Sequence, residues 1–181
     1  MESLRLYDLK EQKKVSSAGV EKVINFMLKY GGYAMVESVE HCRELQKRDI
    51  DLIGFYEDER RLIGFDTIEV KTDTYKTGNL YFETVSCLEM DTPGCLMYCE
   101  ADYLYYYFTQ VDELYIMDMA LFREWVLANR DDFTVKRTST KLNGEKKSYN
   151  SEGILIPLGV ISKNLNAFKG RIVCLSLENI A

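Results

Sequence analysis

Three side chains carry most of the chemistry this sequence can offer. Asp51 is followed, after seventeen residues, by Glu69-Val70-Lys71. Two converging carboxylates are the expected protein share of a Mg²⁺ site, with water and substrate phosphate completing the shell. Phosphodiester hydrolysis uses such a site, because the metal polarises the phosphate, lowers the pKa of an attacking water and offsets charge on the leaving oxygen. A neighbouring lysine can orient that water or stabilise transition-state charge. Asp49 lies on the same side of an extended strand as Asp51 and is its rival for the acidic role. His41 is the only histidine, which leaves a zinc-hydrolase or Ser-His mechanism almost no material.

The elements that must position these residues are readable from periodicity. Residues 50–56, IDLIGFY, and 62–71, LIGFDTIEVK, predict two strands joined by the charged turn Glu57–Arg61. Alternation along the second places Ile68 and Val70 on one face and Glu69 and Lys71 on the other. Upstream, Val20, Val23, Ile24, Met27 and Leu28 follow helical spacing. Ser16 or Ser17 is the predicted cap, and Gly31-Gly32 the stop. Further strands are predicted at Tyr33–Val36, Leu80–Ser86, Tyr103–Phe108 and Leu114–Met117. A helix over ALFREWVLANR follows, capped by Asp118. The C-terminal part predicts a hairpin, TVKRTSTK turning at Asn143-Gly144 into a strand that leads to GILIPLGVI. At 181 residues with 46% apolar and 29% charged residues, the expectation is one α/β domain over 1–181.

The stretch IDLIGF followed by TIEVK resembles the PD-(D/E)xK motif of restriction-type endonucleases, and within that superfamily it is similar to Holliday-junction resolvases. Ile50 stands where the motif's name has proline. The motif covers residues from about 17 to 86. EVKTD, TGNLYFE and EADYLYYYF extend the likeness to small phage and prophage proteins of the same superfamily, and draw attention to Asn79 and Glu83, the latter read as structural. The resemblance implies a restriction-endonuclease-like mixed central sheet flanked by helices. It implies Asp51 and Glu69 as metal ligands together with the Val70 position, and Lys71 as the catalytic lysine. Glu21, on the first helix, would be a further metal or water ligand, although a helix glutamate beside an apolar stripe is equally often plain surface. The implied cofactor is Mg²⁺, with Mn²⁺ able to substitute.

Other features weigh less. Residues 136–147 hold five basic residues and one acid in a chain of net charge −6. Lys136, Arg137, Lys141, Lys146 and Lys147, with Lys76, are therefore the candidates for backbone phosphate contact, against a plain solvated hairpin. Tyr103, Tyr105, Tyr106 and Tyr107 could stack on bases, but strand packing explains them better. Cys87, Cys95 and Cys99 with Cys42 invite an iron–sulfur reading, yet Cys-x7-Cys-x3-Cys fits no zinc or cluster spacing. Five cysteines without a framework and a charged N-terminus point to a reducing cytoplasm rather than secretion. No apolar run is long enough to span a membrane.

The expected function is a Mg²⁺-dependent endonuclease hydrolysing DNA phosphodiester bonds, with structured or branched DNA as the substrate the resemblance suggests. The alternatives are a catalytically inactive nuclease-fold binding or assembly protein and an RNA-directed nuclease. Symmetric cleavage needs two centres on a two-fold axis, so a homodimer is expected, with Tyr98–Phe108 as the guessed interface.

Overall fold

A computed structural model describes residues 6–74, 77–141 and 148–175. In chain order the elements are β1 (Leu6–Asp8), α1 (Leu9–Tyr30), β2 (Met35–Ser38), α2 (Arg43–Gln46), β3 (Leu52–Glu57), β4 (Ile63–Asp73), β5 (Asn79–Cys87), β6 (Thr92–Pro93), α3 (Cys95–Tyr98), β7 (Tyr103–Phe108), β8 (Glu113–Asp118), α4 (Met119–Ala128), β9 (Thr134–Lys141), β10 (Ser148–Pro157), α5 (Leu158–Lys163) and β11 (Arg171–Cys174). The class is mixed α/β. The strands divide between two sheets, where one central sheet was expected. A six-stranded sheet runs β11-β8-β7-β4-β3-β2, and a five-stranded sheet runs β1-β9-β10-β5-β6. Both are mixed: β4 pairs parallel with β7 and β1 parallel with β9, while the other pairings are antiparallel.

Alternation along β4 and β7 gives the six-stranded sheet two apolar faces. Ile68, Val70, Tyr105 and Tyr107 pack with Val20, Val23 and Met27 of α1. Each fully buried side chain of this kind contributes roughly 1.5–3 kcal/mol. On the opposite face Leu104, Tyr106 and Phe108 meet Leu80, Phe82, Ile154 and Ile156 of the second sheet, and Phe122 and Val126 of α4. A second sheet therefore covers the face that was expected to carry only helices. Tyr105, Tyr106, Tyr107 and Phe108 are all buried, which removes them both as a base-stacking platform and as an exposed dimer interface. Among the described residues no helix is long and apolar enough to cross a membrane.

Several local expectations shift. Helix α1 begins at Leu9, so Ser16 and Ser17 are interior rather than capping; the Lys-Glu-Gln-Lys-Lys run before them is made of good helix formers and nothing stops the helix there. Its end is as expected: the Gly31 N–H bonds to the carbonyls of Phe26 and Met27 at 3.1 and 3.0 Å, and Gly32 has φ +81°. In the β3–β4 turn, Asp58 accepts from the N–H groups of Arg60 and Leu62, each at 2.8 Å. Asp118 caps α4 by accepting from Leu121 N–H at 3.0 Å. The run GILIPLGVI is not all strand, because Pro157 ends β10 and α5 starts at the next residue, where proline's fixed φ suits a helix entry. The Asn143-Gly144 turn lies outside the described residues.

Candidate active site

Asp51 sits at the entrance to β3. Its N–H donates to Ile68 O at 2.9 Å, continuing the ladder, and its Oδ2 accepts from the Val70 N–H at 3.0 Å. Gln46 Nε2 approaches Oδ1 at 3.4 Å. The carboxylate thus takes over the edge of β4 where β3, which begins opposite Ile68, has ended. N–H and C=O of one strand residue point to the same side, so the Val70 carbonyl also faces the Asp51 side.

Glu69 and Lys71 leave β4 on the face that looks toward the second sheet. Glu69 is buried, its side chain 5% exposed, and Lys71 Nζ lies 2.8 Å from its Oε1. The same ammonium is 3.9 Å from Asp49 Oδ2. Asp49 has φ 56°, a left-handed conformation that aspartate tolerates better than most residues. Tyr98 OH donates to its Oδ1 and the Cys99 thiol to its carbonyl, each at 3.4 Å. Helix α3 therefore packs its Tyr98 end against the acidic loop. The N-cap of α3 lies against β5, where Gly94 has no side chain: a Cβ there would lie 2.2 Å from Glu83 O.

Burial pushes Glu69 well above the usual carboxylate range, reinforced by Asp51 and Asp49 and opposed by Lys71. Asp49 is raised for the same first reason, with Lys71 opposing and Asp51 adding. Burial by itself would lower Lys71, but Cys95, Glu69 and Asp49 outweigh it and hold the ammonium well above its ordinary value. The Cys95 thiol is itself pushed up to about 11 by burial. Glu83 on β5, also raised by burial, accepts from Ser151 and lies within electrostatic reach of Lys71 and Asp49. The cluster carries more carboxylate than ammonium, an imbalance that a divalent cation would offset.

Asp51, Glu69, Val70 and Lys71 thus come together. Glu21 does not join them: it is exposed on α1, and α1 covers the Ile68–Val70 face of the sheet, opposite Glu69 and Lys71. Lys136 and Arg137 are exposed on β9 of the other sheet, and Arg137 Nε is 2.9 Å from Glu152 Oε2. Lys141 ends β9; Lys76, Lys146 and Lys147 lie outside the described residues. Asn79 opens β5. Sequence reasoning treated Asp49 as a mere rival, weighed Cys95 only for an iron–sulfur site and placed Tyr98 only in a guessed dimer interface. Asp49 and Asp51 share a strand period, a visible signal; nothing local marks the other two.

Two carboxylates and a backbone carbonyl suit a Mg²⁺ ion that keeps several waters, and Asp49 Oδ2 is a buried oxygen without a hydrogen-bond partner. The donor set is of the hard-oxygen type that such a cation takes. It is not a ready-made cage, since among the described residues no group of three or more His, Cys, Asp or Glu is arranged to hold a metal ion. The same holds for Cys42, Cys87, Cys95 and Cys99, which join no such group among the described residues. A separate hollow of about 480 Å³, lined by Asp66, Glu100, Asp102, Asp118 and Arg123 among others, is too acidic to attract a phosphate.

Comparison with protein-family models, with curated proteins and with solved structures finds no match for this chain.

Proposed function

We propose that this protein is a metal-dependent phosphodiesterase that hydrolyses DNA, with structured or branched DNA as its substrate. The observation that carries the reading is the Asp51 carboxylate hydrogen-bonded to the Val70 N–H at 3.0 Å, between Glu69 and Lys71 on β4. Mg²⁺ or Mn²⁺ would be held by Asp51, Glu69 and the Val70 carbonyl; when bound it supplies Lewis acidity and a water acidic enough to attack at neutral pH. Val70 N–H fixes the Asp51 carboxylate, so that one ligand is oriented before any cation arrives. Lys71, charged throughout the neutral range, orients the attacking water and offsets charge on the phosphate. Burial of Glu69 excludes water from the carboxylate and strengthens its interactions. A homodimer belongs to the proposal, since one such centre cuts one strand, and its interface must avoid the buried strand β7.

The second reading is a nuclease-fold binding protein without activity. The contact that favours it is Lys71 on Glu69 at 2.8 Å, which occupies the carboxylate that a cation would need. Purified protein should be incubated with plasmid, single-stranded, branched and RNA substrates in Mg²⁺, Mn²⁺ or EDTA. Metal-dependent cleavage that Asp51→Asn and Glu69→Gln both abolish is the expected result. No cleavage of any substrate with either metal would move the assignment to the binding protein, and cleavage of RNA alone to the RNA-directed enzyme.

A further inference from the structure

Asp49 holds a buried carboxylate oxygen that accepts no hydrogen bond in the described structure, only the longer ion pair of Lys71. Its Oδ1 accepts from Tyr98 at 3.4 Å, while Oδ2 is buried and has no hydrogen-bond donor. An unpaired buried acceptor is costly and rare in a native fold. A simple ion pair does not account for it, because Lys71 gives its hydrogen bond to Glu69 at 2.8 Å and stands 3.9 Å from Asp49 Oδ2. The two carboxylates therefore flank one ammonium, one in contact and one in waiting. The lysine stem is flexible, its side chain is 31% exposed, and reaching Asp49 needs a movement of about 1 Å to hydrogen-bond distance. Asp49 itself is held in place, 18% exposed and pinned by Tyr98 and Cys99 at the end of α3.

We infer that Asp49 is a positioning residue, the acceptor to which Lys71 passes when Glu69 turns its carboxylate to a cation. The inference rests on the reading of Glu69 as a cation ligand, and it removes the obstacle that Lys71 otherwise presents to that role. Lys71 stays charged and beside the site, now oriented by Asp49, and the orphaned oxygen gains its donor. Asp49 touches neither cation nor phosphate in this scheme.

The test has a metal-free arm and a metal-binding arm. In EDTA, thermal unfolding is measured for wild type, Asp49→Asn, Glu69→Gln and the double variant. With Glu69 present, Asp49→Asn should be neutral or stabilising, since it removes an unpaired buried acceptor charge. In the Glu69→Gln background Lys71 keeps an amide acceptor but loses its charged partner, so Asp49 becomes its counter-charge and the same change should lower Tm by about 3 °C or more. Additive shifts would overturn Asp49 as the acceptor. In the second arm, Mn²⁺ binding is followed by electron paramagnetic resonance. Asp49→Asn should weaken Mn²⁺ binding about five-fold or more, and Asp49→Glu should restore it. Unaltered Mn²⁺ affinity in Asp49→Asn would overturn the handover. Wild-type protein that takes up no Mn²⁺ would overturn the metal reading and the handover with it, whereas a non-additive cycle would still assign Asp49 as the alternative partner of Lys71.

Discussion

The Asp51 carboxylate accepts a hydrogen bond from the Val70 N–H at 3.0 Å, so the side chain that opens one strand completes the ladder of the next. This contact makes Asp51 structural as well as chemical, and the two roles separate by substitution. Asp51→Asn keeps an acceptor for Val70 and should change stability by less than about 1 kcal/mol, whereas Asp51→Ala leaves the N–H without its partner and should cost about 1–3 kcal/mol. Both should abolish cleavage. Chemical denaturation alongside the nuclease assay distinguishes them; equal stability of the two variants would mean that the Val70 contact contributes nothing.

Gly94→Ala tests whether α3 must lie against β5. The added Cβ would meet Glu83 backbone atoms at 2.2 and 2.3 Å, and a backbone neighbour cannot rotate away as a side chain can. The expected loss is about 1–3 kcal/mol, as for overpacking elsewhere in a core. Displacing α3 also moves Tyr98 from Asp49, so activity should fall along with stability. Wild-type stability would show that this strand–helix contact is looser than the distances imply.

Much of this architecture was legible locally. Asp118 reads as a cap because its carboxylate can reach an N–H in the first helical turn, and the alternation of Ile68 and Val70 against Glu69 and Lys71 follows from the strand period alone. The division into two sheets was not legible, since Leu80 and Phe82 read as strand without stating which sheet they join. Helix α3 was missed because four residues are too few for a periodic signal. The candidate site followed the same split. Asp51, Glu69 and Lys71 were visible because a hairpin brings them together. Tyr98 and Glu83 enter through tertiary packing across the sheet gap, and the Glu21 expectation failed geometrically because α1 packs on the other face.

Acid should loosen the docking of α1. Asp112, in the β7–β8 turn, accepts from Lys22 of α1 and from Tyr107 OH. Those hydrogen bonds, Lys22 first, hold its carboxyl below the ordinary carboxylate value of 3.8. A depressed folded pKa means that the unfolded chain binds the proton more readily. The stabilisation is therefore complete above the unfolded pKa and is lost as pH falls from about 3.8 through the lower folded value. Asp112→Asn should remove that part of the acid-side slope in a series of denaturation curves between pH 6 and pH 2 (a range chosen on the order of the carboxylate titrations). An unchanged slope would assign acid sensitivity to other carboxylates.

The exposed β9 residues allow a sharper test of nucleic-acid contact than removing charge wholesale. Arg137 lies 2.9 Å from Glu152 Oε2, so any phosphate it touches must compete with that carboxylate, whereas Lys136 stands opposite Gly153. If β9 contacts backbone phosphate, Lys136→Gln should weaken binding alike across sequences and reduce the salt slope by about 1. Glu152→Gln should act in the opposite direction, freeing Arg137 to release a further counterion and steepening the slope. The measurement is fluorescence anisotropy with duplex and branched oligonucleotides over a salt series in EDTA, where no cleavage intervenes. Opposite shifts from the two variants would mark β9 as a phosphate-binding strand. Identical slopes for wild type and both variants would make it ordinary surface and leave the approach of DNA to the other sheet.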